Sequence, residues 1–215
     1  MSEVPIPPLS AAEVLGLTTP RDNAHYEALG RFIAAFASAE SILHVIARKL
    51  SGLSEERARV IFGGLRLSDV TDRIRHFLNL DKGAADETTL ADISDIEACL
   101  DQLGQIATRR HNIVHRGATY FGGAFIVSNS MIAKTIASIE TEIVSETALR
   151  EMAQDCSRIF LRLILISGLT IKNDYWQTLL RQQPWLYKPP PPKPQNPKRR
   201  GTPESRKPPP DASQG

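Results

Sequence analysis

The chain has 215 residues, of which 41% are hydrophobic and 23% charged, and its formal net charge is +2. This composition is typical of a globular protein and excludes a collagen, a coiled-coil rod or a disulfide scaffold. Charge is uneven along the chain, because the segment from Lys188 to Gly215 holds seven basic and two acidic residues. A basic tail therefore follows a mildly acidic body, and the overall balance does not call for a polyanionic partner.

Composition divides the chain into three predicted segments. Residues 1–18 are a flexible lead-in, residues 19–187 a helical domain, and residues 188–215 a disordered, Pro-rich basic tail. The last 28 residues hold ten of the 15 prolines and no Ile, Leu, Val, Phe, Tyr or Trp. Such a segment buries too little apolar surface to offset the entropy of ordering it.

Cysteine usage and hydropathy predict a cytoplasmic location. Cys99 and Cys156 fall on apolar faces of predicted helices, which favours reduced core thiols over a redox pair. The N-terminus has neither a basic nor an apolar stretch of the signal-peptide type. The longest apolar run, from Ile159 to Leu169, is interrupted by Arg162 and too short to span a bilayer. We therefore expect no membrane partner.

The first predicted helix begins at Thr19 and Pro20 and ends before Gly52. Thr is a good N-cap, Pro fits the first helical position, and Gly commonly ends a helix. Residues spaced by three or four predict one core-facing stripe, interrupted by a single carboxylate, Glu40. The stripe consists of Tyr26, Leu29, Ile33, Phe36, Glu40, Leu43, Ile46 and Leu50.

Three further helices are predicted before residue 117. A short one opens at Ser54 and ends at Gly63–Gly64, and a third opens at Ser68. A fourth, about 40 Å long, runs from near Thr88 to His115. Its apolar stripe consists of Leu90, Ile93, Ile96, Leu100, Leu103, Ile106 and Ile113.

The remainder of the domain changes character twice. Residues 118–128 predict a small hairpin that turns at Gly122 and Gly123. Residues 129–144 allow no assignment. Ser145 and Glu146 start a fifth helix, and Tyr175–Leu180 forms a last short one. The predicted fold is an all-α antiparallel bundle of about five helices, with a small β-hairpin between helices four and five.

The end of the fourth helix carries the most distinctive sequence. Six of the eight residues from Arg109 to Arg116 are polar or charged. The chain has no phosphate-binding Gly loop with Lys, no dinucleotide-binding fingerprint, no H-E-x-x-H motif and no C-x-x-C pair. The polar helix end is therefore the candidate functional site.

Arg110 and His115, with His111 and Asn112 directly after the arginine, resemble the R-x-x-x-x-H signature of HEPN domains, a superfamily of nucleotide-binding helical domains. The context is similar too, since a long first helix containing Phe36-Ala-Ser-Ala-Glu40 precedes a fourth helix that ends in the motif. The likeness in architecture covers roughly residues 25–168.

The resemblance implies a metal-independent endoribonuclease without a cofactor, whose two motifs meet across a homodimer, as in many toxin and phage-defence proteins. Arg110 would then hold the scissile phosphate and His115 would act as the principal acid/base group. His111, Asn112 and Arg109 would support them, and an antitoxin or inhibitor protein is a further expected partner. Residues five apart on a helix diverge by about 140°, so a kink, a frayed end or a second subunit must bring them together.

Several supporting assignments have alternatives. Glu40 either pairs with Arg109 or Arg110 to orient the site or is a partly exposed interruption. Arg116 and the tail residues Lys198, Arg199 and Arg200 would contact RNA phosphates, although the tail also suits a polyproline ligand or a solubilising segment.

The motif as a whole also has alternative interpretations. The arginines are compatible with a solvated helix cap that offsets the helix dipole. His111 and His115 share a helix face, but no third metal ligand accompanies them in sequence, so no metal is expected. A non-catalytic RNA-binding, nucleotide-binding or protein-interaction module is the alternative function.

Overall fold

The computed structural model describes residues 20–83, 85–116, 118–121, 124–170 and 173–191. This part of the chain is mostly helical, which confirms the all-α class. The predicted lead-in lies outside the described residues, as does the tail beyond Pro191. The elements are α1 (Pro20–Leu50), α2 (Glu55–Phe62), α3 (Leu67–Asp81), α4 (Glu87–His115), β1 (Ala118–Phe121), β2 (Ala124–Ser128), a 3-10 turn (Ile136–Ser138), β3 (Thr141–Val144), α5 (Glu146–Ser167) and α6 (Asp174–Gln182).

Helix boundaries follow local capping chemistry. The Asp86 carboxylate accepts a hydrogen bond from the Thr89 amide at 2.7 Å, and the Ser145 hydroxyl accepts one from the Ala148 amide at 3.1 Å. The prediction that Ser68 opens the third helix was wrong by one residue, because Arg66 occupies the N-cap position of α3 and Leu67 is its first residue.

The hydrophobic core forms where α1 packs against α5 and α3, and where α4 packs against α5. Because α1 has neighbours on several sides, its buried face is wider than the predicted stripe and includes Phe32, Ala39 and Ile42. Two stripe residues were assigned wrongly. Tyr26 is 45% exposed, and Leu90 is 43% exposed because α4 enters the core only from Ile93 onward.

A three-stranded antiparallel sheet follows α4, in the order β1-β2-β3. Pairing of β1 with β2 confirms the two predicted strands, whereas the predicted turn at Gly122 and Gly123 lies outside the described residues. β3 extends this sheet within the segment that the sequence left unassigned. Val144 pairs with Phe125 and both are buried, and the Phe125 ring lies 4.5 Å from the ring of His25 in α1. The inner face of the sheet thus joins the helical core.

The segment after α6 is fixed to the body by one buried carboxylate. Asp155 of α5 is fully buried and accepts hydrogen bonds from the Leu186 amide at 3.0 Å, the Tyr187 amide at 2.9 Å and Gln102 Nε2 at 3.0 Å. Gln102 Nε2 also donates to the Tyr187 carbonyl at 3.1 Å. Through its backbone, Tyr187 thus holds the C-terminal segment on the bundle.

Two other aromatic residues near this end differ in their contacts. Trp185 is partly buried, with the Arg162 guanidinium 4.7 Å from its ring centre. Trp176, in the first turn of α6, is instead 51% exposed.

One stretch of α1, Asn23–Leu50, is long and apolar enough to cross a membrane by length and composition alone. Core helices can pass the same test, and here Phe32, Leu43 and Ile46 are buried against the other helices. The cytoplasmic location stays a prediction.

Replacing Asp155 by Ala should lower the free energy of unfolding by about 3 kcal/mol, because the amides of Leu186 and Tyr187 lose their acceptor, Gln102 Nε2 loses one of its two acceptors and Arg158 loses its ion pair. Chemical denaturation measures the change. Asp101→Ala is the control, since Asp101 is exposed and paired with Arg75, and it should cost roughly 0.5 kcal/mol or less. Equal losses in the two variants would contradict the anchoring role.

Both cysteine thiols should be inert in the folded protein. Burial raises the pKa of Cys99 to about 12, with a smaller contribution from Asp95, and burial likewise raises the pKa of Cys156 to about 12, with Asp155 adding to it. At pH 8 only about one such thiol in ten thousand is the reactive thiolate. Ellman's reagent should therefore modify no thiol before denaturation and two after it; rapid reaction of the native chain would contradict the burial.

Candidate functional site

The polar motif occupies the last two turns of α4, and Arg116 follows as the C-cap residue. The Arg116 amide donates to the Asn112 carbonyl at 3.0 Å, so the backbone stays helical up to the cap. Successive side chains therefore project in different directions, and the motif divides into three groups with distinct surroundings.

Arg110 faces α1. Its guanidinium carbon lies 5.6 Å from the centre of the Phe36 ring, and its buried Nε–H has no hydrogen-bond acceptor in the part of the chain that the structure describes. Glu40 lies one helical turn after Phe36 and is partly exposed. Among the described residues, it forms no ion pair with Arg110 or Arg109. An aromatic face, rather than a carboxylate, thus positions Arg110, and Glu40 fits the alternative of a partly exposed interruption of the stripe.

His111 and His115 form the second group. Their ring centres are 4.6 Å apart, and both side chains are exposed. Two imidazoles are fewer ligands than a zinc site normally takes from protein, and no cluster of three His, Cys, Asp or Glu residues occurs in the described part of the chain. The pair is accessible for acid/base chemistry at the molecular surface.

Arg109, Asn112 and Arg116 form the third group, on the side of α4 that faces β3 and the C-terminal segment. They line a cavity of about 540 Å³. Arg109 is ion-paired with Glu142 and Arg116 with Glu140. The opposite wall is formed by Tyr187 and Pro189–Pro191. Both arginines therefore already have carboxylate partners.

Arg109 is the more deeply buried of these two arginines. Its side chain is 12% exposed, and its Nε–H has no acceptor although Glu142 neutralises the charge. Burial lowers the pKa of the guanidinium, and Tyr187 opposes that shift electrostatically. The pKa of the Tyr187 phenol is raised by burial, with Arg109 opposing. Desolvation is thus the main electrostatic influence on both groups.

Sequence reasoning did not identify Glu140, Glu142 and Tyr187 as part of this region. The two glutamates are two residues apart within Ile139–Val144, and this alternation, typical of a strand, was the signal in the sequence that could have identified them.

Asn129 fixes the approach to β3, because its Oδ1 accepts a hydrogen bond from the Glu140 amide at 2.6 Å and its Nδ2 donates one to the Ser138 carbonyl at 3.0 Å.

The structure brings the motif residues to one end of the molecule without converging them on one point. Arg110 is directed at α1, whereas His115 is directed at solvent. The tail residues Lys198, Arg199 and Arg200 lie outside the described residues. A single chain therefore offers an accessible histidine pair and a separate guanidinium.

Comparisons with protein-family models, with curated proteins and with solved structures find no match for this chain.

Glu142→Ala should destabilise the protein more than Glu140→Ala. Loss of Glu142 leaves the poorly solvated Arg109 without a counter-charge, at a cost of about 2 kcal/mol. Glu140 is half-exposed and its partner Arg116 is 30% exposed, so its loss should cost less than about 1 kcal/mol. Thermal and denaturant unfolding of the two variants test the order, and a reversed order would contradict the burial difference.

Proposed function

We propose that the chain is a metal-independent endoribonuclease of the HEPN type, acting on RNA as a homodimer in the cytoplasm without a cofactor. The observation that carries this proposal is the exposed His111–His115 pair on the same helix end as Arg110, which has no carboxylate partner among the described residues. The all-α body and the position of the motif at the end of a long helix also fit the HEPN-like bundle.

The proposed reaction is internal transesterification of RNA. The 2′-hydroxyl attacks the adjacent phosphorus, the P–O5′ bond breaks, and the products are a 2′,3′-cyclic phosphate and a 5′-hydroxyl. One proton must leave the 2′-oxygen and one must reach the 5′-oxygen, while charge builds on the phosphorane oxygens. In this reaction His115 would act as the acid/base group and Arg110 would hold the scissile phosphate. His111 and Asn112 would support them by hydrogen bonding.

A second subunit is part of the proposal because Arg110 and His115 diverge within one chain. Pairing the α4 ends of two copies would place the histidine of one copy near the arginine of the other. The active site would then be incomplete in the monomer. Arg116 and the basic residues of the Pro-rich tail would add phosphate contacts.

A toxin or phage-defence effector, with an antitoxin or inhibitor as partner, is the biological role that this activity suggests. The same divergence of Arg110 and His115 also favours one alternative, a non-catalytic module that binds RNA, nucleotides or protein. For that alternative, the polar end of α4 would bind without turnover.

The direct test is incubation of mixed RNA with the wild-type chain and with the Arg110→Ala/His115→Ala variant in EDTA. We expect the wild type to leave 2′,3′-cyclic phosphate ends and the variant to lose at least about 100-fold in rate, because a general acid/base alone contributes about 10²–10⁴-fold. Size-exclusion chromatography with light scattering reports the oligomeric state in parallel.

The matched control is Arg59→Ala/His76→Ala, which removes the same residue types from exposed positions on α2 and α3. It should cleave like the wild type. If the wild type and both double variants fold and bind RNA but all leave it intact, the chain is a binding module and not a nuclease. Equal cleavage by both double variants would remove the motif from the mechanism.

A further inference from the structure

The cavity beside α4 combines two guanidinium groups with two carboxylates from one short stretch of chain. Arg109 and Arg116 project from the same side of α4, and Glu142 and Glu140 neutralise them from β3 and from the residue before it. The cavity of about 540 Å³ stays open between these pairs and the C-terminal segment. The charges that line this cavity are therefore balanced, although side chains do not fill it.

We propose that the Arg109–Arg116 side of α4 is a binding site for the phosphodiester backbone of single-stranded RNA, and that Glu140 and Glu142 occupy it in competition with RNA phosphates. The inference rests on the proposed function, which already takes RNA as the ligand and Arg116 as a phosphate contact. It deepens that function by adding Arg109 as a second phosphate contact on the side of α4 away from Arg110 and His115, and by adding a device that limits the affinity for RNA.

The chemistry of the cavity supports an exchange of anions. Carboxylate and phosphate are recognised by the same fork of guanidinium N–H groups, so either can serve Arg109 and Arg116. Arg109 retains a buried Nε–H with no acceptor among the described residues, and a phosphate oxygen would satisfy it. Gln105, Thr108 and Asn112 line the same cavity and supply amide and hydroxyl donors.

The exposure of the two ion pairs shows where exchange would begin. The Arg116–Glu140 pair is 30% and 51% exposed at its two side chains, and such pairs contribute little stability. Glu140 can therefore be displaced at small cost. The Arg109–Glu142 pair is less exposed and would open second.

The spacing of the arginines favours a chain of phosphates over a single one. Arg116 follows Arg109 by seven positions, so their Cα atoms are about 10 Å apart along the helix axis. A ligand that engages each arginine through an anion of its own must present two anionic groups in succession. A nucleic-acid strand does so, and an isolated phosphate does not.

The test measures binding of a fluorescent 12-nucleotide 2′-O-methyl oligouridine by anisotropy, over a series of salt concentrations. This probe lacks the attacking 2′-hydroxyl, so binding is read whether or not the protein cleaves RNA. Glu140→Gln/Glu142→Gln keeps side-chain size and an amide oxygen while removing both competing charges. It should tighten binding about tenfold and steepen the salt dependence by about 1.4 in log–log slope, the value for two additional phosphate contacts.

The matched control is Glu97→Gln/Glu146→Gln, which makes the same change in net charge by removing the partners of Lys82 and Arg150. It should tighten binding less than threefold, with an unchanged slope. Adding Arg109→Gln/Arg116→Gln to the Glu140/Glu142 variant should return the affinity to that of the wild type. If the Glu140→Gln/Glu142→Gln variant does not fold, Glu140→Gln alone should tighten binding of the oligonucleotide about threefold.

Equal gains in the test and control variants, or an unchanged salt slope, would overturn the inference. Tighter binding without any cleavage of natural RNA would retain this site and reject the nuclease. If the wild type cleaves RNA but the Glu140→Gln/Glu142→Gln variant binds the oligonucleotide no more tightly, the nuclease proposal stands and this binding site is rejected.

Discussion

The buried carboxylate of Asp155 is the contact on which the candidate region depends. A buried charge is costly unless hydrogen bonds satisfy it, and here the amides of Leu186 and Tyr187 do so. The C-terminal segment depends on the carboxylate in turn, because the same bonds hold this segment across α4 and α5. Tyr187 is thereby placed beside Arg109, and the following prolines become a wall of the cavity.

The three arginines on α4 are held by different interactions, and this gives them different roles in binding. Arg109 and Arg116 face carboxylates, so an anion must first displace a glutamate. Arg110 faces the Phe36 ring, and an aromatic quadrupole attracts the cation without neutralising its charge. Arg110 therefore presents the least compensated positive charge of the three to an incoming phosphate.

Periodicity in the sequence was sufficient to predict most helices, because each long helix has an apolar face and a capping residue that act locally. It did not predict β3, since residues 129–144 show alternation only over Ile139–Val144. The partners of Arg109 and Arg116 were missed for a related reason. Glu142 and Glu140 lie 33 and 24 residues away, and pairing over such distances is set by the register of the sheet.

In the proposed nuclease, a second copy completes the site at a lower cost than a local rearrangement of α4 would. Turning His115 toward Arg110 within one chain would unwind the last helical turn. That change gives up several backbone hydrogen bonds, at about 1 kcal/mol each, and exposes Ile113, at a further cost of about 1.5–3 kcal/mol. Association of two α4 ends costs none of this internal structure. The rigidity of the helix end, secured by its cap and by the core contact of Ile113, is thus the physical reason to expect catalysis only in the dimer.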